Sequence, residues 1–153
     1  MQSRHTRSSA PASARLLLAP AQPPPVISGI LGMAAIAVGV AGYLHGHLFH
    51  EGYSQVKVIG PLFLLNDISS GLVIVLLLLR RPWLFATGAL GISVGAVVSI
   101  VISHTTSLFG FAEHRYSATA TTIIVAECAA TALALLALGL ATRFGLGAEE
   151  TGR

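Results

Sequence analysis

Residues 61–83 read Pro-Leu-Phe-Leu-Leu-Asn-Asp-Ile-Ser-Ser-Gly-Leu-Val-Ile-Val-Leu-Leu-Leu-Leu-Arg-Arg-Pro-Trp. The apolar run 61–79 stops at Arg80-Arg81-Pro82, and a second apolar run begins at once with Trp83. Two runs of that length, parted by two cations and a proline, leave space only for a tight turn, so they form antiparallel helical neighbours. A helix crossing a hydrocarbon core near 30 Å needs about 20 residues at about 1.5 Å each. The second run, 83–108, is long enough as well. Outward from this hairpin lie a run at 26–49, entered through Pro25, and one at 118–142, ending at Arg143. Proline suits the first turn of a helix, where the amide it lacks would have no partner. The expected fold is therefore all-α, a bundle of four transmembrane helices.

Composition agrees with that reading. Of 153 residues, 54% are hydrophobic and only 10% are charged, against roughly 25% charged in soluble domains. Mean hydropathy is +0.77. The length allows one compact unit, 26–143, with residues 1–25 and 144–153 as tails. Residues 1–25 are polar, with Arg4, Arg7, Arg15 and Pro23-Pro24-Pro25, which predicts a disordered tail ending in a stiff polyproline step. The apolar run after it is too long for a signal-peptide core and ends without a small-residue cleavage site, so the tail is not read as a leader. The lone Cys128 excludes an internal disulfide framework.

The cations set the expected orientation. The N-terminal tail, the Arg80-Arg81 turn and the C-terminal segment hold seven of the nine, while loops 50–60 and 109–117 hold only Lys57 and Arg115. Excess Lys and Arg marks the cytoplasmic side, which places both termini inside and the histidine-rich end outside. The basic balance reflects topology rather than a nucleic-acid partner; the partner expected is the lipid bilayer of a plasma membrane.

Polar residues within apolar spans carry the functional signal. Glu127 lies about ten residues into the fourth span, about 13 Å deep, and Asp67 about seven into the second, about 10 Å deep. An ionised acid at mid-membrane costs at least about 2.5 kcal/mol, so these acids should be paired, protonated or turned inward. His45 and His104, near the ends of the first and third spans, fall at nearly one depth in the same leaflet. Two histidines on different helices of a bundle can ligate a haem b from both faces. Beyond them, His47, His50 and Glu51 share a helical face and, with His114, could hold Zn or Cu. Asp67 and Glu127 alternatively suit a proton or ion relay. The bland reading competes: Tyr43, Phe49, Tyr53 and the histidines fit an ordinary interfacial belt, and the acids can simply hydrogen-bond neighbouring helices.

Small residues recur at i, i+4 spacing, as Thr87, Gly91, Gly95, Ser99 and Ser103, as Ala35/Gly39 and Gly42/Gly46, and as Ala126, Ala130 and Ala134. In lipid such rows let helix backbones approach. They are expected inside the bundle; a row left on the lipid side would mark self-association or a larger complex. The chain has no phosphate-binding glycine loop, nucleophile elbow, HExxH or CxxC, so no catalytic machinery is visible.

The run Val58-Ile59-Gly60-Pro61-Leu62-Phe63-Leu64-Leu65-Asn66 and the later Ser107-Leu108-Phe109-Gly110-Phe111-Ala112-Glu113 together resemble uncharacterised small four-span integral membrane proteins of high-GC Gram-positive, actinobacterial type. The similarity covers roughly residues 40–140. It implies a four-span fold and a bacterial membrane location, and brings no activity with it. The function expected is an accessory or redox/metal-handling membrane subunit that binds haem or a metal ion. A proton- or ion-coupled carrier and a purely structural subunit are the alternatives.

Overall fold

A computed structural model describes residues 22–112 and 117–150, the last seven as backbone only. It contains four helices, α1 (Pro25–His50), α2 (Ile59–Leu78), α3 (Pro82–Thr105) and α4 (Ala118–Glu150), with a single 3-10 turn (Tyr53–Gln55) between the first two. All four are long and apolar enough to cross a membrane, α4 over Ala118–Arg143. The chain is an all-α multi-pass membrane protein, and the expected spans are met to within a few residues.

Local chemistry explains most boundaries. Helix α2 ends in a Schellman motif: the Arg81 amide donates to Leu76 O at 2.8 Å and the Arg80 amide to Leu77 O at 3.0 Å. Arg80 takes the left-handed conformation there, with φ 57°, although glycine is the usual occupant. Pro82 then opens α3. The third span ends three residues before the expected 108, because the chain breaks into a tight turn. Leu108 and Phe111 exchange both backbone hydrogen bonds, at 2.8 and 2.9 Å, around Phe109 and Gly110, both at positive φ. That is the signature of a type I′ hairpin turn. At the other end of the chain, α4 runs on to Glu150, through residues expected to be a tail.

The helices form a ring in chain order. Each packs along its sequence neighbours, and α4 closes against α1; α1 and α3 are diagonal, as are α2 and α4. The core lies toward the Arg80-Arg81 end. Ile27, Leu31, Phe85, Ala34, Ala86 and Ala137 are almost wholly enclosed there. Large side chains from α1 and α3 meet alanines across the ring, which lets four backbones approach closely where the hydrophobic effect cannot drive association. Outside, Met33, Ile36, Leu65, Leu72, Val98 and Val125 are exposed apolar residues, suited to lipid.

Candidate functional site

Toward the other end the character of the interior changes. Helices α1 and α2 cross there through the Gly42/Gly46 row. A Cβ on Gly42 would lie 2.6 Å from Ser70 Cβ, and one on Gly46 would lie 2.6 Å from Asp67 Oδ2. Only glycine permits that approach, and it seats the half-buried Asp67 carboxylate against the α1 backbone.

From the position beside Asp67 on α2, Asn66 reaches across the diagonal. Its Nδ2 donates to Glu127 Oε1 at 3.4 Å, while Ser70 Oγ donates to Asn66 Oδ1 at 3.3 Å. Glu127 is 1% exposed. Placed at mid-membrane, such an acid must turn inward and find a partner, and Asn66 is the partner. Asp67, the residue beside it in sequence, points to Gly46 instead. Both acids remain close enough to His45 to act on it electrostatically.

His45 itself is 4% exposed. Its Nδ1 donates to Ala41 O at 2.8 Å, and His104 Nδ1 likewise donates to Ile100 O at 2.9 Å. A carbonyl only accepts, so the proton sits on Nδ1 and a neutral ring carries its lone pair on Nε2. Each ring is thus held in orientation by a carbonyl one turn back on its own helix. Because α3 ends at Thr105, His104 stands in its last turn rather than five residues inside it, slightly shallower than expected.

The two imidazoles line one cavity of about 330 Å³. They come from the diagonal helices α1 and α3, so they approach it from opposite walls. Asn66 and Ser69 of α2, and Gly91, Gly95, Ser99 and Ser103 of α3, also border it. Ser99 and Ser103 turn their hydroxyls back onto their own helix, donating to Gly95 O and Ile100 O at 2.8 Å each. At the water-facing end an aromatic set borders it. Phe63 stands edge-on to His45 with centroids 5.1 Å apart, Tyr53 stacks on Phe63 at 4.9 Å, and Phe111 meets Tyr53 at 5.8 Å. Tyr53 was expected in an interfacial belt with Tyr43 and Phe49; it instead joins Phe63 and Phe111 in bordering the cavity.

The exposed histidines behave differently. His47 Nε2 lies 3.2 Å from Glu51 Oε1 and its ring stacks on Tyr43 at 6.1 Å, while His50 packs edge-on to Phe49 at 5.4 Å. His114 lies outside the described residues. Among the described residues no three His, Cys, Asp or Glu side chains converge so as to hold a metal ion.

Two features depart from the sequence reading. One is Asn66, whose adjacency to Asp67 masked it, although an amide at helical spacing from Ser70 and Phe63 was the visible signal. The other is the α3 row. Thr87, Gly91 and Gly95 are exposed rather than packed inside, and a Cβ on Gly91 or Gly95 would meet nothing within 4 Å. The rows on α1 and α4 do pack inside, Ala126, Ala130 and Ala134 being buried.

Compared with protein-family models, with curated proteins and with solved structures, the chain matches none of them.

Proposed function

We propose that this chain is a small accessory or redox subunit of a bacterial plasma-membrane assembly that holds a small ligand in the cavity between His45 and His104. The observation that carries this reading is the pairing of two Nδ1-anchored imidazoles on diagonal helices, bordering one cavity. Its volume falls at the lower end of the roughly 300–1,000 Å³ of small-molecule sites. The arginine distribution supports termini in the cytoplasm and the cavity in the outer leaflet.

The donor set sorts the occupants. Zn or Cu takes three or four protein ligands, and the described residues supply no such group. A haem b would be held by two imidazoles, and His45 and His104 both border the cavity, but its two propionates would find no Arg or Lys among the described residues there. An uncharged organic ligand asks for neither.

The test is an absorption spectrum, elemental analysis and mass spectrum of the organic extract, all on one preparation of the full chain. A stoichiometric ligand that is lost in His45→Ala and in His104→Ala is expected. A preparation from native membranes that holds no pigment, metal or organic ligand would overturn the reading.

A second reading, a proton- or ion-coupled carrier, is favoured by one observation, the enclosure of Glu127 at mid-membrane on Asn66. Proton flux in proteoliposomes that stops in Glu127→Gln would establish it. Flux unchanged in both Glu127→Gln and Asp67→Asn would exclude it.

A further inference from the structure

Where the cavity opens says what it takes. Helices α2 and α3 touch near their connecting turn, where a Cβ on Gly88 would lie 3.0 Å from Val73 Cγ2. Beyond that contact they part. Gly91 and Gly95 follow on α3, bordering the cavity yet with open space in front of each Cα. On the facing side Leu62 and Leu65 of α2 border it too and are 36% and 58% exposed. Residues that both line a cavity and stand exposed mark its mouth, so the mouth lies on the flank of the bundle, between α2 and α3.

Depth gives the medium outside that mouth. Gly91 and Gly95 lie about 14 and 20 Å along α3 from Pro82 at 1.5 Å per residue, so the mouth opens on hydrocarbon. Tyr53, Phe63 and Phe111 pack against one another at the water-facing end, where the exposed Ser117 also borders the cavity. A molecule reaching this cavity by that lateral mouth must therefore dissolve in the bilayer.

Charge and chemistry narrow it further. No Arg or Lys is among the described residues around the cavity, so an anionic head such as a phosphate or carboxylate finds among them no partner that would offset its desolvation. His45, His104 and Asn66 put polar groups toward the water-facing end, and Ser69 adds a hydroxyl deeper in. Imidazole Nε2 accepts from a hydroxyl, and an amide donates to a carbonyl. The missing side chains at Gly91 and Gly95 leave a smooth channel from that polar end to the mouth.

We infer that the occupant is an uncharged lipid-soluble molecule, its hydroxyl- or carbonyl-bearing head held between His45, Asn66 and His104 and its apolar tail lying over Gly91 and Gly95 and out between α2 and α3. This rests on the ligand-binding reading above and names the ligand class.

Two sources share this chemistry, a quinone with an isoprenoid tail and an isoprenoid alcohol, and the experiment separates them. The full chain is placed in phosphatidylcholine nanodiscs, and saturable binding is measured with tritiated decyl-benzoquinone and, separately, tritiated farnesol. At least one is expected to bind, and p-benzoquinone without a tail to compete at least tenfold less well. The double variant Gly91→Leu/Gly95→Leu places its side chains in open space, so it should keep its unfolding temperature while weakening the tailed probe at least tenfold. Saturable binding of neither probe, or binding indifferent to the leucine pair, would overturn the inference. Binding lost in His45→Ala and His104→Ala but kept in the leucine pair would leave the cavity as the site and remove only the lipid class. Binding lost in the leucine pair but kept in both histidine variants would remove the imidazole-based reading itself.

Discussion

The two halves of this bundle use the same helices for opposite ends. Toward Arg80-Arg81, Ile27, Leu31 and Phe85 fill the space between alanines of all but α2, leaving buried side chains at 0–1% exposure. Toward the histidines the same helices carry glycine, serine, asparagine, histidine and glutamate, and their packing leaves about 330 Å³ unfilled. A membrane bundle gains stability from van der Waals contact and from interhelical hydrogen bonds. One half supplies the contact. The other gives up part of it for polar groups that lipid would otherwise exclude. What this teaches is that the histidine half is not a badly packed copy of the arginine half: both imidazoles are anchored through Nδ1, Glu127 is partnered by Asn66, and the void lies between them.

The comparison can be broken most directly with one side chain placed in both halves. Ile27→Ala, in the closed half, is expected to cost about 3 kcal/mol, as buried Ile→Ala changes do, whereas Ile100→Ala on the cavity wall should cost under about 1 kcal/mol because open space already adjoins it. Reversible unfolding in detergent measures both, and equal losses would mean that the halves are packed alike. Next in size is Gly42→Ala, whose new Cβ would press on Ser70 at 2.6 Å. It should lose about 2 kcal/mol, typical of overpacking, by the same measurement. Glu127→Ala follows, at about 1.5 kcal/mol for a buried amide left without its acceptor, with Glu127→Gln within about half of that because it can still accept from Asn66. The smallest effect belongs to Gly91→Ala, which meets open space and should leave stability unchanged or raise it by up to about 1 kcal/mol through helix propensity. A clear loss there would place α2 against α3 and close the mouth.

Much of the arginine half was legible in the sequence. Span lengths, Pro25, Arg80-Arg81-Pro82 and the alanine row on α4 are one-dimensional signals, and helix periodicity converts them directly into neighbours and faces. The histidine half was legible only as a list of residues at one depth. His45 and Glu127 were picked out because burying a polar group in lipid demands an explanation. Their partners were not, because a partner across a bundle depends on ring order, which no spacing along one helix encodes. Asn66 rather than Asp67 meets Glu127 because the Gly46 notch takes the aspartate first. The aromatic set was missed for a similar reason. Tyr53, Phe63 and Phe111 come from three segments, and they converge only because the type I′ turn at Phe109-Gly110 folds the chain back.

The central claim is that one half is sealed and the other opens sideways to the bilayer between α2 and α3. Photo-labelling of the full chain in phosphatidylcholine vesicles with a diazirine-bearing long-chain alcohol, mapped residue by residue by mass spectrometry, tests it most directly. Adducts are expected on Ser99 and Ile100 of the cavity wall, diminished by Gly91→Leu/Gly95→Leu, with none on Phe85, Ala86 or Ala89. Labelling confined to the exposed belt, sparing Ser99 and Ile100, would contradict it.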